Sequence, residues 1–476
     1  MPLPYTAIPG PRARPIVGNI PDIAPDMLGF WTRMAREHGD FAAFRVGGWP
    51  SVLVSDPDAI ETVLVKRHRS FIKHRLFFRH VTALFGDGLL TAEGDFWLRQ
   101  RRLAAPAFHT ERLNAYARVM TDYTDAMLAG WRDGEERDAH HEMMGVTMRI
   151  VSRTLFGTEV EEVDDIGRAF DRVANELPLR FRRLFRIPDW VPTPGNLRYG
   201  RGLRRLNALV EGIIAERRED GEDRGDLLSM LMSARDEDGR PMSHKQLRDE
   251  AVTLFLAGHE TTALALSWAW WLLARHPDAE ARLHRELDDV LGSGPGARTP
   301  TVADLPRLPF ADAVISEAMR LYPPAWTVGR EATEDVDVGP YRLPRGTTVY
   351  LSPWVMHRHP RWWSEPEAFR PERWLGDGVR GLPRFVYMPF GGGPRICIGN
   401  RFAQMEAVLV LATVASRWRL EWRRERPVVP FAGITLRPEG GVWVDVRARE
   451  GAGAPQRQER NAARAHSDMV DPAETG

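Results

Sequence analysis

The chain has one cysteine, Cys397, in the stretch FGGGPRICIGNRFAQMEAVLVL, Phe390 to Leu411. Three glycines and Arg395 precede it, and a helical run follows. A thiolate is a nucleophile and a soft metal ligand; the free N–H groups at a helix start and an arginine two residues away both favour it over the thiol. Consecutive glycines let backbone approach something large and flat, Phe390 can pack beside it, and Gly399 allows a tight entry into the helix. A phosphate loop would need Gly-Lys-Ser/Thr, which does not follow. A cysteine nucleophile would need a histidine base, which sequence does not place. A buried, inert cysteine is the plain alternative.

Three other groups have types and spacing that suit chemistry. AGHETT, Ala257 to Thr262, begins like a His-Glu-x-x-His zinc site, but the fifth position is Ala263 and the second ligand is missing. Its Thr261 hydroxyl is placed to bond back to the Ala257 carbonyl, which bends helices. EAMR sets Glu317 and Arg320 at i,i+3, and PERW supplies Arg373. As an exposed ion pair the first two would contribute only about 0.2–0.5 kcal/mol. GDFWLRQRRL places Trp97 and Arg101 one helical turn apart.

These residues need elements to hold them. AGHETT lies in a run that starts at a capping box, Ser243 with Gln246, and continues without proline to Arg275, before Pro277. Such a helix spans about 48 Å and must cross the middle of the molecule. DFAAFRVGGWPSVLVSD alternates around Gly47 and Gly48 and reads as a hairpin. From about Asp56 to Leu321 the pattern is helical. After Pro323 it turns to short strands and irregular segments, and a last helix is expected from about Asn400 to Trp418. The end, 451–476, has almost no large apolar residue and reads as a disordered tail. With 476 residues the chain exceeds one simple core. Its 65 basic and 65 acidic side chains cancel, so no net field draws nucleic acid or an anionic membrane. One cysteine forbids an internal disulfide and suits a reducing cytoplasm. The apolar stretch Ala251 to Ala274 holds His259 and Glu260 at its centre, which argues against a membrane span.

Phe390, Gly393, Arg395, Cys397 and Gly399 match Phe-x-x-Gly-x-Arg-x-Cys-x-Gly, and with AGHETT, EAMR…PERW and the Trp97–Arg101 pair in order, the chain resembles the cytochrome P450 family from about Pro9 to Arg447. The resemblance implies a mainly α fold: one domain over 1–450, with a large helical part around a long central helix and a smaller β-rich part. It implies haem b, with Cys397 as the proximal ligand of its iron. Trp97, Arg101, Arg330 and Arg395 become the expected propionate partners, Arg330 by its place after the Glu-x-x-Arg helix, with Ala257, Phe390 and Gly399 beside the cofactor. Glu260 and Thr261 correspond to the family's acid and alcohol that relay protons during oxygen activation. Glu317, Arg320 and Arg373 become a structural triad that locks the cysteine loop.

The implied function is monooxygenation of a lipophilic small molecule with O2 and NAD(P)H-derived electrons from a separate ferredoxin or flavodoxin and its reductase, in a cytoplasmic monomer. A terpenoid natural product is favoured as substrate and a fatty acid is second, because the hairpin reads Trp49, Ser51, Val52, Leu53 where fatty-acid hydroxylases of similar type carry an Arg and a Tyr. A peroxide-driven haem-thiolate enzyme would not need Glu260 and Thr261; a non-catalytic haem sensor or carrier, the rival class, would need no oxygen groove. Pocket walls are expected at Leu76 to Leu90, Leu177 to Trp190, Thr253, Ala257, Ala325 to Val328 and Ile434. Arg99 and Arg102 are expected to face an acidic redox partner.

Overall fold

Caps and prolines set the helix ends. The computed structural model describes residues 2–157, 173, 188, 190–221 and 223–449. The expected tail and nearly all of the 177–190 wall lie outside these. Five helices carry the site: α1 (Gly94–Ala104), α2 (Ala139–Phe156), α3 (His244–Arg275), α4 (Pro309–Leu321) and α5 (Asn400–Ala415). Both halves of the capping box form at the start of α3: Gln246 N–H donates to Ser243 Oγ at 3.2 Å, and Ser243 N–H donates to Gln246 Oε1 at 2.8 Å. The helix is buried almost throughout from Leu247 to Leu273 and packs against α2, α4 and α5. Trp268 anchors its far half, stacked on Tyr322 with ring centroids 4.2 Å apart.

The β-rich part is a five-stranded sheet. Strands β1 (Phe41–Val46) and β2 (Trp49–Val54) form the expected hairpin, and β3 is Phe71–Lys73, β4 Val328–Ala332 and β5 Thr348–Leu351. The order is β1-β2-β5-β4-β3. The β3–β4 register sets Lys73 opposite Arg330 at the sheet edge. The last helix stops at Ala415, earlier than expected, because Trp418–Trp422 is a strand, β6. Its WRLEW alternation has period two, and it pairs antiparallel with Trp443–Ala448. Between them, β7 (Val429–Ala432) and β8 (Leu436–Glu439) form a hairpin that reaches back to α3, and Trp443–Ala448 is β9.

Glu317 and Arg320 are both 0 % exposed. Arg320 Nε and Nη2 donate to the two Glu317 oxygens at 2.8 Å each, and its remaining N–H groups meet the carbonyls of His357, Pro366 and Ala368 at 2.7–2.9 Å. Glu317 also accepts from Arg373 Nε, Trp374 Nε1 and the Arg370 amide, each at 2.9 Å. The cluster therefore grips residues 357–374. The grip passes to the cysteine loop through His357, whose Nε2 accepts the Met388 amide at 2.9 Å. Breaking a buried charge network from one side typically costs about 3–5 kcal/mol. Glu317→Ala is expected to lose about that much in urea unfolding, whereas a loss under about 1 kcal/mol, the range of exposed pairs, would show that the cluster does not carry this segment.

Candidate active site

The cysteine loop is shaped by its own neighbours. Gly391 and Gly393 take φ of +72° and +67°, and a Cβ on Gly393 would stand 1.9 Å from the Leu64 carbonyl oxygen. The close approaches of this loop are thus to Leu64 and, at Gly392, to Phe385. Gly399 has an ordinary φ of −92°; its importance lies in its position as N-cap of α5. The Cys397 amide donates to the Phe390 carbonyl at 3.0 Å, which folds the loop back on itself.

The Cys397 sulfur is accessible. The surrounding protein still desolvates it, and this burial pushes the thiol above its usual range; the Gly399 amide and the Arg101 charge pull the other way. Arg395, expected to supply that charge, is turned aside. It pairs with Glu93, donates to the Ala92 carbonyl at 3.1 Å, and lies over the Trp97 ring at 4.2 Å. Trp97, Arg395 and the start of α1 are thereby one packed unit.

Positive charge gathers beside it in excess. Arg101 and Arg330 form no ion pair among the described residues, and Arg330 is pushed down to about 10 by burial and by Arg395. Lys73 joins them. Its Nζ donates to the carbonyls of Leu89, Leu90 and Ala92, and burial, then Arg395 and Arg330, against the pull of Glu93, push it down to about 6. Glu93 is the carboxylate paired with Arg395 among these three arginines and the largely neutral Lys73 amine, and it also accepts the Lys73 amide at 2.7 Å. Such a set fits a dianionic ligand that adds acceptors the protein lacks. Sequence reasoning passed over Lys73 and Glu93. The usable signal was a lysine at the end of an apolar strand in a chain with only three lysines.

On α3, Ala257 is exposed and Gly258 and Thr261 half-exposed between long buried stretches. A helix that is otherwise interior can show these residues only to an internal space. Thr261 Oγ1 donates to the Ala257 carbonyl at 2.9 Å, and Thr262 Oγ1 to that of Gly258 at 3.3 Å. His259 is buried, its Nδ1 on the Phe255 carbonyl at 3.0 Å, and burial keeps it neutral at physiological pH. No cluster of His, Cys, Asp and Glu fit to hold a metal exists among the described residues. Thr253, expected on the pocket wall, is instead buried against Gly88 and bonded to the Phe85 carbonyl. Glu260 is buried and ion-paired with Arg437. Arg99 and Arg102 are engaged with Asp236 and Glu237. An accessible thiol, a cation-rich rim and an apolar helix face with one hydroxyl together fit haem.

The chain matches the family model described as cytochrome P450 over residues 8–443. It belongs to the cytochrome P450 family. Pentalenene oxygenase of Streptomyces avermitilis is 39 % identical over 437 residues, 91 % of this chain and 95 % of the relative. Cyclooctatin synthase of Streptomyces melanosporofaciens is 38 % identical over 443 residues, 91 % and 92 % of the two chains. Cyclooctat-9-en-7-ol 5-monooxygenase of the same organism is 36 % identical over 436 residues, 91 % and 92 %. The chain is a P450 monooxygenase of mainly helical fold with a small β-rich region. Haem iron and NAD(P)H-derived electrons are what this family uses. Among the described residues no helix is long and apolar enough to cross a membrane.

Arg101 is the charge that favours the Cys397 thiolate, so its loss disfavours ionisation. In haem-free protein, Arg101→Met is expected to slow alkylation of Cys397 by iodoacetamide at a fixed pH near 8, by up to about tenfold, the effect of one pKa unit. An unchanged pH–rate curve would remove Arg101 from the thiol's surroundings.

Proposed function

We propose that this P450 binds haem b through Cys397 and oxygenates a terpenoid, by hydroxylation or epoxidation. The observation that carries the reading is the one accessible thiol, held by the Gly399 amide and faced by Arg101. When bound, thiolate-ligated haem iron supplies the cleavage of O2, placing one oxygen atom in the substrate and releasing the other as water. Arg101, Arg330, Arg395 and Trp97 would hold the propionates, and Phe390, Gly399 and Ala257 would flank the ring. Electrons would come from a ferredoxin or flavodoxin and its NAD(P)H-dependent reductase. One domain over 1–450, acting as a cytoplasmic monomer, completes the proposal.

The protein's own part is orientation and proton delivery. Exposed Ala257 and Ala325 and half-exposed Val328 and Ile434 offer an apolar wall, suited to hydrocarbon held by shape. Relatives named for pentalenene and cyclooctatin support a terpenoid. Ser51, Val52 and Leu53 are buried in β2. The Thr261 hydroxyl would hold a water for proton delivery, with Glu260 as its source. Thr261→Ala is expected to fold and bind substrate, yet to divert NADPH into hydrogen peroxide, with product per NADPH falling several-fold. Full coupling in that variant, measured as product, peroxide and NADPH together, would reduce Thr261 to a helix-bending role.

A further inference from the structure

Glu260, the expected proton source, is not free in this structure. Its Oε1 accepts from Thr435 Oγ1 at 2.6 Å and from Arg437 Nε and Nη2 at 2.8 and 2.6 Å. Both partners sit on one short hairpin, β7–β8, two residues apart and thus on the same side of the chain. That hairpin is fastened close to this point. Trp268 Nε1 of α3 donates to the Leu436 carbonyl at 3.0 Å, the Leu436 amide to the Pro324 carbonyl at 3.0 Å, and Trp326 Nε1 to the Gly433 carbonyl at 3.0 Å. Between these anchors lies Ile434, half-exposed and proposed above as pocket wall.

The electrostatics follow the geometry. Burial pushes the Glu260 carboxyl up, but Arg437, the Thr435 hydroxyl and His259 outweigh it, and the group lies below the usual carboxylate range. Other ionisable groups face it from α2. His140 has Nδ1 on Ser267 Oγ at 3.1 Å and is pushed down to about 4 mainly by burial, so it is neutral near pH 7; Asp138 and His141 stand beside it. Arg437 is therefore the cation that fixes the state of Glu260, and its side chain is 24 % exposed, within reach of solvent. A carboxylate bonded to arginine is a poor proton carrier. To act, it must leave Arg437, take a proton from solvent water, and hand it to water at Thr261, returning as carboxylate.

We propose that Thr435 and Arg437 are positioning residues of the proton-delivery step: they clasp Glu260 as a withheld carboxylate, which must part from Arg437 before it can carry a proton. The inference rests on the reading of Glu260 as proton source and adds the device that governs it. Removing the clasp leaves a buried carboxyl that favours protonation.

The test uses the haem-loaded enzyme without substrate and the variants Arg437→Met, Arg437→Lys, Thr435→Val and Glu260→Gln. In infrared spectra at pH 7, Arg437→Met is expected to gain a protonated-carboxyl band that is absent from the wild type and from Arg437→Met/Glu260→Gln. Substrate-free NADPH oxidation to peroxide should rise by about tenfold, the population change of one pKa unit. Thr435→Val should move both readouts in the same direction by less, and Arg437→Lys should restore the wild-type state. If Glu260→Gln turns over with unchanged rate and coupling, Glu260 is not the source and the reading beneath the inference falls. If Glu260→Gln is impaired while Arg437→Met and Thr435→Val keep the wild-type spectrum and leak, the clasp alone is overturned.

Discussion

An ionised group in a protein interior costs several kcal/mol unless partners replace its water, and this molecule sets two such carboxylates and one desolvated thiol around one site. Glu317 is met by two arginines, an indole and an amide. Glu260 is met by Arg437 and Thr435, and Cys397 by one amide and the field of Arg101. The completeness of compensation falls along that series. The first group is scaffold, the second is held by two partners, and the third is left short of partners, as would suit the proposed iron ligand.

The fold exists to keep these three in register. α3 carries Glu260 and Thr261 through the middle of the molecule, and between Asp249 and Leu273 its neighbours leave uncovered only Ala257, Gly258 and Thr261. α4 grips residues 357–374 and, through His357, the start of the cysteine loop. The sheet edge brings Lys73 and Arg330 opposite each other, and Lys73 Nζ ties down the 89–92 turn from which α1 begins, bringing Trp97 and Arg101. The charge surplus on that rim is the mirror of the thiol's shortage. Both would be relieved by one ligand that presents carboxylates at its edge and a metal at its centre, as in the proposed haem site.

What was legible in the sequence was local. Ser243, Gln246 and Pro277 fix α3 because caps and breakers act within a turn. The Glu317–Arg320 spacing and the cysteine motif are likewise contiguous. WRLEW was readable as a strand by its period, yet it follows a helix so closely that its pairing with β9 decides the matter. Glu93 was not legible as the partner of Arg395, since 302 residues separate them. Nor could Thr435 and Arg437 be assigned to Glu260, 175 and 177 residues away. Such pairs are set by tertiary packing, and only the assembled hairpin and helix reveal them.

The account stands on Cys397 as a thiolate ligand of haem iron. The direct measurement is the absorption spectrum of the dithionite-reduced, carbon-monoxide-saturated protein, compared between the wild type and Cys397→Ser after both have been shown to retain haem. The wild type is expected to give the red-shifted Soret band of a thiolate-ligated complex, and the serine variant to lose it. The same thiolate-type band in both proteins, or in neither, would contradict the account.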